Sequence, residues 1–422
     1  MERVLSNGKF LRLWLGQAVS NSGDYVFGIA VIWYILVSTE SVILVGLTVA
    51  LTLVPSILVA PLAGVLVDRW NRRHVLLATY AAQATLVGGA GILYVLHELG
   101  FVFALITVVG LEVGHSFANP ASGAILPRVV DKSELISANG LISGTSSFNM
   151  LTSTAVGGAV VALLGLSVPF EYDAISFVLA MAFIAGIPHA VGSPNPEEPR
   201  ARMVAPSLSF TRQLADGGRY LRSDRVVLGL TVMGTLVSFF AMGLQGLYAP
   251  YVQLNLQSGP TIYGLFLASF AGGAIAGSLV IGHIGRRFRT STLLIAGLSG
   301  QALAIITLSI NRDALLALVI WGGCGVAQMV NVVPFQSLLQ AKIPTSLFGR
   351  VSSMVNAIMF APSPLAIIMT SELAVRFSIA IMFLLYGIAM LITVITVFAL
   401  RQDIRKVDIK RYEGVNPSST LR

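Results

Sequence analysis

The sequence contains little charge and a single cysteine. Charged residues make up 11% of its 422 residues, while hydrophobic residues make up 55%. Since an average soluble domain is roughly 25% charged, this composition excludes an ordinary soluble protein. Because Cys324 is the only cysteine, no intramolecular disulfide can form. The five histidines and the lone cysteine form no motif with metal-ligand spacing, so we expect no bound metal.

Motifs for nucleotide-driven or hydrolytic chemistry are missing as well. The chain has no G-x-x-x-x-G-K-[ST] loop for ATP phosphates and no H-E-x-x-H zinc motif. No nucleophile and base occur together on one predicted helix face, as covalent catalysis would require. We therefore expect neither an enzyme nor an ATP-driven pump. No cofactor is expected. A proton gradient is the expected energy source.

Long apolar runs dominate the rest of the sequence. A helix needs about 20 residues to cross the hydrocarbon core of a bilayer, and twelve runs approach or exceed that length. The predicted fold is an all-α membrane protein whose 12 transmembrane helices form two pseudo-symmetric six-helix bundles. The predicted spans are 11–36, 42–67, 75–97, 101–126, 136–164, 167–189, 226–251, 260–283, 290–310, 314–340, 350–372 and 378–400.

A proline-rich and strongly charged stretch separates the two sets of six spans. Its prolines rule out one continuous helix, but Phe210, Leu214 and Leu221 recur at helical spacing opposite basic residues. An amphipathic helix in the membrane interface and a solvated basic linker both fit this pattern. The predicted domains are an N-terminal bundle at 1–190, a cytoplasmic linker at 191–225, a C-terminal bundle at 226–400 and a cytoplasmic tail at 401–422.

The basic residues indicate which side of the membrane each loop occupies. If both termini are cytoplasmic, all of the 27 Lys and Arg residues except Arg312 and Arg376 face the cytosol. The positive-inside rule therefore predicts this orientation. The same rule explains the net charge of +8 as topology. We accordingly expect membrane lipids, and no nucleic acid, as partners of the basic surface.

Asp24 lies midway along the first predicted span, where a charge costs several kcal/mol and is a functional hypothesis by default. The i, i+4, i+7 spacing of Gln17, Asn21 and Asp24 places the three on one helical face. That face must point away from lipid. Three roles are open for Asp24: proton exchange, binding of a cationic substrate, or a permanently hydrogen-bonded structural acid.

Glu112 occupies the same kind of position in the fourth span, with Asn119 on its face. Burial makes a carboxyl easier to protonate, so a mid-membrane acid can exchange a proton as access alternates. The same roles are open for Glu112 as for Asp24. His115 lies close by, although a lone helical histidine more often satisfies a neighbour than relays a proton. For Glu171 and Asp173, at the outer entrance of the sixth span, a favourable charge at a helix N-terminus is a better interpretation than a functional role.

The spans of the second half carry no Asp or Glu in their interiors between residues 226 and 372. Neutral polar and aromatic side chains take their place. If the fold encloses a cavity, one wall would be titratable and the other mainly apolar and aromatic. Such a cavity suits a bulky amphipathic substrate better than a sugar or a phosphate. The candidate cavity residues are Phe240, Gln245, Phe270, Gln328, Asn331 and Asn356.

A short charged turn joins the second and third spans, and a weaker copy lies half a chain later. The first copy, at 64–73, reads GVLVDRWNRR. The second copy, at 277–287, has Ile281 in the place of Asp68. Two copies at the same place in each half indicate an internal duplication in which only the first copy carries an acid.

This turn resembles the signature of the major facilitator superfamily, a Gly-x-Leu-x-Asp-Arg core followed by basic residues. The resemblance implies two six-helix bundles related about an axis normal to the membrane. It also implies a conformational latch, in which Asp68 meets the start of the eleventh helix near Gly349 and Arg350. Arg128 would pair with Asp68, while the other basic residues hold the turn against headgroups and neighbouring helices. The matching positions are Gly64, Leu66, Asp68, Arg69, Arg72 and Arg73.

Further segments resemble the drug:proton antiporter branch of that superfamily, which includes macrolide efflux proteins and the enterobactin exporter. The segments are 10–17, 20–24, 119–121, 173–177 and 349–351. The resemblance implies a monomer in the cytoplasmic membrane of a prokaryote. It would export amphipathic small molecules, such as drugs, macrolides or siderophores, against protons by alternating access. The alternatives are an importer or facilitator of the same fold, and a non-transporting membrane sensor or assembly factor.

Overall fold

The structure, a computed structural model, describes residues 2–193, 218–285, 287–400 and 408. Within these ranges the chain is helical almost throughout and contains no strand. Most of the predicted linker at 191–225 lies outside the described residues, including Phe210 and Leu214 of the suggested interfacial helix. The same is true of the predicted tail at 401–422, apart from Asp408.

The first half of the chain contains eight helices after a short N-terminal one at Glu2–Ser6. A single turn of 3-10 helix at Lys132–Glu134 precedes the sixth of them. The eight are α1 (Gly8–Thr39), α2 (Val42–Leu58), α3 (Ala60–Arg69), α4 (Arg72–Val95), α5 (Phe101–Val129), α6 (Leu135–Leu164), α7 (Ser167–Ala185) and α8 (His189–Gly192).

From Arg225 to Leu400, the described residues form seven long helices. The first of them runs on through a 3-10 turn at Leu244–Leu247, a helical turn at Tyr248–Pro250 and a π-helical turn at Tyr251–Asn255. The seven are α9 (Arg225–Gly243), α10 (Pro260–Ile284), α11 (Thr290–Ile310), α12 (Ala314–Lys342), α13 (Thr345–Phe360), α14 (Ser363–Phe377) and α15 (Ile379–Leu400).

Side-chain caps mark where several of these helices begin. Asn7 precedes α1, and its Oδ1 accepts from two backbone N–H groups of the first turn, at 3.0 and 3.3 Å. Asn71 caps α4 in the same way, as do Asp224 for α9 and Asp313 for α12. Each such cap satisfies N–H groups that have no partner inside the helix, and contributes about 1 kcal/mol.

The number of membrane-crossing helices agrees with the sequence prediction. Eleven helical segments among the described residues are long and apolar enough to span a bilayer, and the bent pair α2 and α3 brings the total to 12. The predicted all-α fold with 12 spans is therefore confirmed.

Two predicted spans are interrupted, in each case beside prolines. The run 42–67 divides into α2 and α3, which meet at 45°. Pro55 lies inside α2 and Pro61 lies in the first turn of α3; proline removes a backbone donor and crowds the preceding turn. The run 350–372 is interrupted at 361–362, between α13 and α14, although the two helices still count as one span.

The described residues form two compact units. The first comprises 2–193 together with 248–268, and the second comprises 218–247 with 269–400 and 408. Residues 248–268 thus cluster with the first unit, although they follow the linker in the sequence. In the first unit α1 packs on α6 and α7, and α4 packs on α5 and α7. In the second unit α11 packs on α12 and α15.

Aromatic packing fixes α7 in the first unit. Phe170 is completely buried, with its ring centroid 5.2 Å from Phe27 of α1 and 5.8 Å from Tyr94 of α4. The first contact is edge-to-face and the second is stacked, geometries that add to the stabilisation from burial alone. This packing holds the α7 turn that follows Phe170 firmly against α1.

Candidate functional site

His115 brings the two mid-membrane acids together. Its Nε2 lies 3.1 Å from Asp24 Oδ2, and its Nδ1 lies 3.8 Å from Glu112 Oε2. Asp24 belongs to α1 and the other two residues to α5, and these helices pack against each other. Glu112 and His115 are three residues apart and therefore lie on the same side of α5. We call this arrangement the Asp24–His115–Glu112 cluster.

The cluster is partly shielded from solvent. The exposed fraction of the side chain is 16% for Asp24, 28% for His115 and 38% for Glu112. Asp24 Oδ1 is buried and has no hydrogen-bond partner among the described residues. A neutral imidazole has one N–H, whereas an imidazolium has two, so a protonated His115 would present a donor to each acid. The charge of the cluster thus depends on how many protons it holds.

The other predicted members of this face lie nearby on the same helices. Gln17 and Asn21 are half-buried on α1, two turns and one turn before Asp24. Asn119 is exposed on α5, one turn beyond His115. Their assignment to the site stays a prediction.

Asp173 lies beside the Asp24–His115–Glu112 cluster, which corrects its interpretation as a charge at a helix N-terminus. It is completely buried in the second turn of α7, beyond the free N–H groups of the helix start. Its carboxyl is close enough to interact electrostatically with Asp24 and His115. The signal in the sequence was an acid inside an apolar run, several residues after the run begins.

Gln83 of α4 is a buried polar residue that the sequence interpretation did not include. It is 1% exposed, and its Nε2 donates to the Leu111 carbonyl oxygen at 3.1 Å. Gly114 provides the room, because a Cβ there would lie 2.7 Å from Gln83 Nε2. Gln83 therefore holds the backbone of α5 next to Glu112. An amide in the middle of an otherwise apolar span was the available signal.

The candidate cavity residues of the second unit have separate neighbours. Phe240 of α9 packs edge-on against Tyr386 of α15, with ring centroids 5.3 Å apart. Phe270 of α10 packs against Trp321 of α12 at 5.0 Å. Both contacts lie within the second unit, and the assignment of Phe240 and Phe270 to a cavity wall stays a prediction.

The four amides predicted for the same cavity are spread over three elements. Gln245 follows α9, and its Nε2 lies 3.1 Å from the sulfur of Met242. Gln328 and Asn331 are half-buried on α12, and Asn356 is exposed on α13. Their role in binding a substrate stays a prediction.

The charged turn at 64–73 is anchored within the first unit. Asp68 is 68% exposed and lies 3.9 Å from Arg72 Nη2, whose side chain is 7% exposed. The predicted partner Arg128 donates instead to the carbonyl oxygens of Val191 and Ser193. The carboxylate of Asp68 is therefore presented to the surroundings, while the Arg72 side chain beside it is buried.

Several hydrogen-bond donors from this turn and from α1 bind the end of α7 and the residues that follow it. Arg73 Nη2 donates to the Ala185 carbonyl oxygen at 2.8 Å, and Arg12 donates to that of Gly186. Asn71 Nδ2 donates to Ser193 Oγ at 3.1 Å. Cations at the C-terminal end of α7 match the negative pole of its helix dipole. We call this set of contacts the 185–193 clasp.

The remaining latch residues lie on the surface of their own units. Arg69 is exposed at the end of α3, and Gly64 is half-buried in the same helix. Gly349 and Arg350 are exposed in the second turn of α13. The proposed meeting of Asp68 with the start of α13 stays a prediction.

The chemistry available in the Asp24–His115–Glu112 cluster is the uptake and release of protons and the binding of cations. Carboxylates and imidazole are the side chains that exchange protons near neutral pH when their surroundings change. Among the described residues, no group of three or more His, Cys, Asp or Glu side chains is arranged to hold a metal ion.

Comparison with known proteins identifies a matching family and several relatives. Residues 4–418 match the model of a family described as transmembrane secretion effectors. Macrolide efflux protein A of Streptococcus pyogenes is 27% identical over 410 residues, which cover 95% of this chain and 98% of that protein. Enterobactin exporter EntS of Citrobacter koseri is 24% identical over 351 residues, which cover 82% of this chain and 81% of that protein.

Two solved structures share the fold. A bacterial homologue of the iron transporter ferroportin has a TM-score of 0.72 at 14% identity, covering 92% of this chain and 98% of that one. The nucleoside transporter NupG also has a TM-score of 0.72, at 10% identity, covering 93% of this chain and all of that one. At such low identities the likeness concerns the fold alone.

Proposed function

Because this chain belongs to the transmembrane secretion effector family of the major facilitator superfamily, we propose that it exports amphipathic small molecules in exchange for protons. Its relatives are efflux transporters, so it is a multi-pass membrane transporter of the efflux type and not an enzyme. It works as a monomer by alternating access in the cytoplasmic membrane of a prokaryote, with both termini in the cytosol.

The observation that carries the proposal is the 3.1 Å contact between Asp24 and His115, with Glu112 on the other side of the imidazole. Charged groups at mid-membrane depth are costly to keep and mark ion or substrate pathways. In this cluster each added proton removes one negative charge or adds one positive charge. A cationic substrate and a proton therefore compete for the same acids, which is the requirement for exchange of one against the other.

The proposed substrate class follows from the contrast between the two units. The first unit supplies the acids, whereas the rings of Phe240 and Phe270 belong to a second unit whose span interiors carry no acid. A bulky molecule with an apolar body and a polar or cationic group has chemistry that matches both kinds of side chain. Two relatives, a macrolide efflux protein and an enterobactin exporter, are named after large molecules of this kind.

The exposed Asp68 supports a switching role for the turn at 64–73. A carboxylate that is 68% exposed contributes little to the stability of its own unit. It is free to meet the positive end of another helix, for which we propose the start of α13 near Gly349. Arg72 and Arg73 would keep the turn in place while this contact forms and breaks.

The proposed exchange can be tested in proteoliposomes loaded with a pH-sensitive dye. Wild-type protein should move ethidium or erythromycin against an opposing proton flux that the dye records. Asp24→Asn and Glu112→Gln should each weaken the dependence of transport on the imposed pH gradient. Glu171→Gln, on the exposed start of α7, is the matched control and should behave as wild type.

Other outcomes would contradict the proposal and indicate a different proton site or a different function. If both variants keep the full dependence on the pH gradient, the proton site lies elsewhere. If the probe moves only down its own gradient and without proton flux, the protein is a facilitator or importer. If correctly inserted wild-type protein moves no compound of a broad amphipathic panel, a sensor or assembly role takes its place.

A further inference from the structure

The Asp173 carboxyl has few partners inside the first unit. The residue is 0% exposed. Its Oδ1 lies 3.2 Å from the Ser176 hydroxyl, but that hydroxyl lies closer, at 2.8 Å, to the backbone carbonyl oxygen of Asp173. The other oxygen, Oδ2, has no hydrogen-bond partner among the described residues. A lone carboxylate buried in this way costs several kcal/mol, and a proton on the group removes most of that cost.

Gly23 of α1 lets this carboxyl approach the helix that carries Asp24. A Cβ at position 23 would overlap Asp173 Oδ1 and the Ser176 hydroxyl, and would lie 2.9 Å from Ser176 Cβ. The Asp173 side chain therefore rests directly on the α1 backbone, one residue before Asp24. This close contact brings the Asp173 carboxyl to the residue that precedes Asp24, and the two carboxyl groups interact electrostatically.

The titratable groups facing Asp173 come from three packed helices. Asp24 faces it from α1 and His115 from α5, both close enough to act on it electrostatically. Tyr80 lies on α4, which packs on α7, and its ring is 6.1 Å from that of Phe177. The fourth neighbour, α6, contains no titratable side chain between 135 and 164. Glu112 lies 3.8 Å from His115 Nδ1.

We propose that Asp173 is a further member of the proton-carrying site and exchanges a proton with Asp24 and His115. This inference rests on the proposed proton coupling. Two carboxyl groups that share a region of low dielectric cannot both be ionised without a large cost, so one of them retains a proton. Release of that proton from Asp173 to the Asp24 carboxylate leaves Asp173 ionised and Asp24 neutral. The charge of the region is then unchanged, while its position moves from one helix to another.

This transfer makes Asp173 a proton donor that lies away from the water-accessible side of the site. Asp24 is 16% exposed and Glu112 is 38% exposed, whereas Asp173 is closed off completely. When a bound cation leaves the Asp24 carboxylate, Asp173 can therefore transfer its proton to Asp24 and become the ionised group itself, without opening the bundle to water. A purely structural acid in the same place would hold its proton at all times.

Infrared spectroscopy of the full-length protein in liposomes can separate these two cases without any substrate. Protonated carboxyl groups absorb in a C=O stretching band that ionised carboxylates lack. Spectra recorded across a pH titration should contain one buried carboxyl component that is missing in Asp173→Asn and unchanged in the control Glu171→Gln. In Asp24→Asn, where the neighbouring negative charge is gone, the midpoint of that component should move towards acidic pH.

Two results would overturn the inference. The first is an Asp173→Asn spectrum with the wild-type set of bands. The second is a band that is lost in Asp173→Asn but neither titrates nor responds to Asp24→Asn, which identifies a permanent structural acid. If Asp173→Asn fails to fold, the response of the band to Asp24→Asn decides the question alone. Since no transport is measured, a failure here leaves the exchange assay in proteoliposomes unaffected, and the two proposals fail separately.

Discussion

Gly192 and Asn71 are so close that position 192 has no room for a side chain. A Cβ there would overlap Asn71 Oδ1 and lie 2.7 Å from the Arg73 backbone nitrogen. The same Asn71 oxygen caps α4, and its amide nitrogen reaches Ser193. One amide therefore begins a helix and ties it to the chain after the sixth span.

Gly192→Ala should accordingly destabilise the first unit by about 1–3 kcal/mol, because the added methyl group displaces either Asn71 or the start of α4. Asn71→Ala should cost about 1 kcal/mol through loss of the cap. The measurement is the thermal unfolding midpoint of purified protein. Gly64→Ala serves as control, since nothing lies within 4 Å of a Cβ there. Equal midpoints for Gly192→Ala and Gly64→Ala would contradict the close contact.

Asp68→Asn should leave expression, insertion and unfolding temperature near wild type, because the side chain is 68% exposed. Transport of ethidium should nevertheless fall about tenfold, the size of a typical coupling between two conformations. A variant that transports at the wild-type rate would show that the turn has no switching role.

His115→Gln removes the imidazole that lies between two acids. Asp24 and Glu112 would then face each other without a group able to carry positive charge. We expect the free energy of unfolding to fall by about 1–3 kcal/mol. This loss is smaller than in a fully buried site, because all three side chains are partly exposed. Adding Asp24→Asn to His115→Gln should restore part of this loss, since it removes one of the facing charges. Additive effects in unfolding measurements of the double variant would show that the residues do not interact.

Gly23→Ala should be far more harmful than Gly28→Ala, although both lie on α1. At position 23 the new methyl group would overlap Asp173 and Ser176, while nothing lies within 4 Å of a Cβ at position 28. We expect Gly23→Ala to lower the unfolding free energy by about 1–3 kcal/mol, and Gly28→Ala to leave it unchanged or slightly raise it. Similar unfolding midpoints for the two variants would argue against the buried position of Asp173.

The sequence was sufficient to locate the membrane spans, but it did not determine which side chains of different helices contact each other. Apolar length determines whether a helix can cross a bilayer, and this property is local, so all 12 runs could be located. The bend between α2 and α3 lies beside Pro55 and Pro61, but its angle depends on packing against other helices. Sequence spacing identifies residues on one helix face and leaves open which other face they meet.

His115 and Asp173 illustrate that limit. The spacing of three residues placed His115 beside Glu112, but its contact with Asp24 depends on how α1 and α5 are rotated against each other. Asp173 was assigned to a helix end because charges there are common and favourable. Its position in the second turn of α7 and the glycine opposite it on α1 bring it into the interior instead.

The 185–193 clasp also sets an order of assembly during synthesis. Arg12, Asn71 and Arg73 are made early, but their acceptors are Gly186, Ser193 and Ala185, among the last residues of the first half of the chain. Synthesis proceeds from the N-terminus, so these donors have no acceptors until the sixth span, α7, and the residues after it have been made. A nascent chain that ends before residue 185 therefore contains only five complete spans, built from α1 to α6, and lacks the acceptors of the clasp.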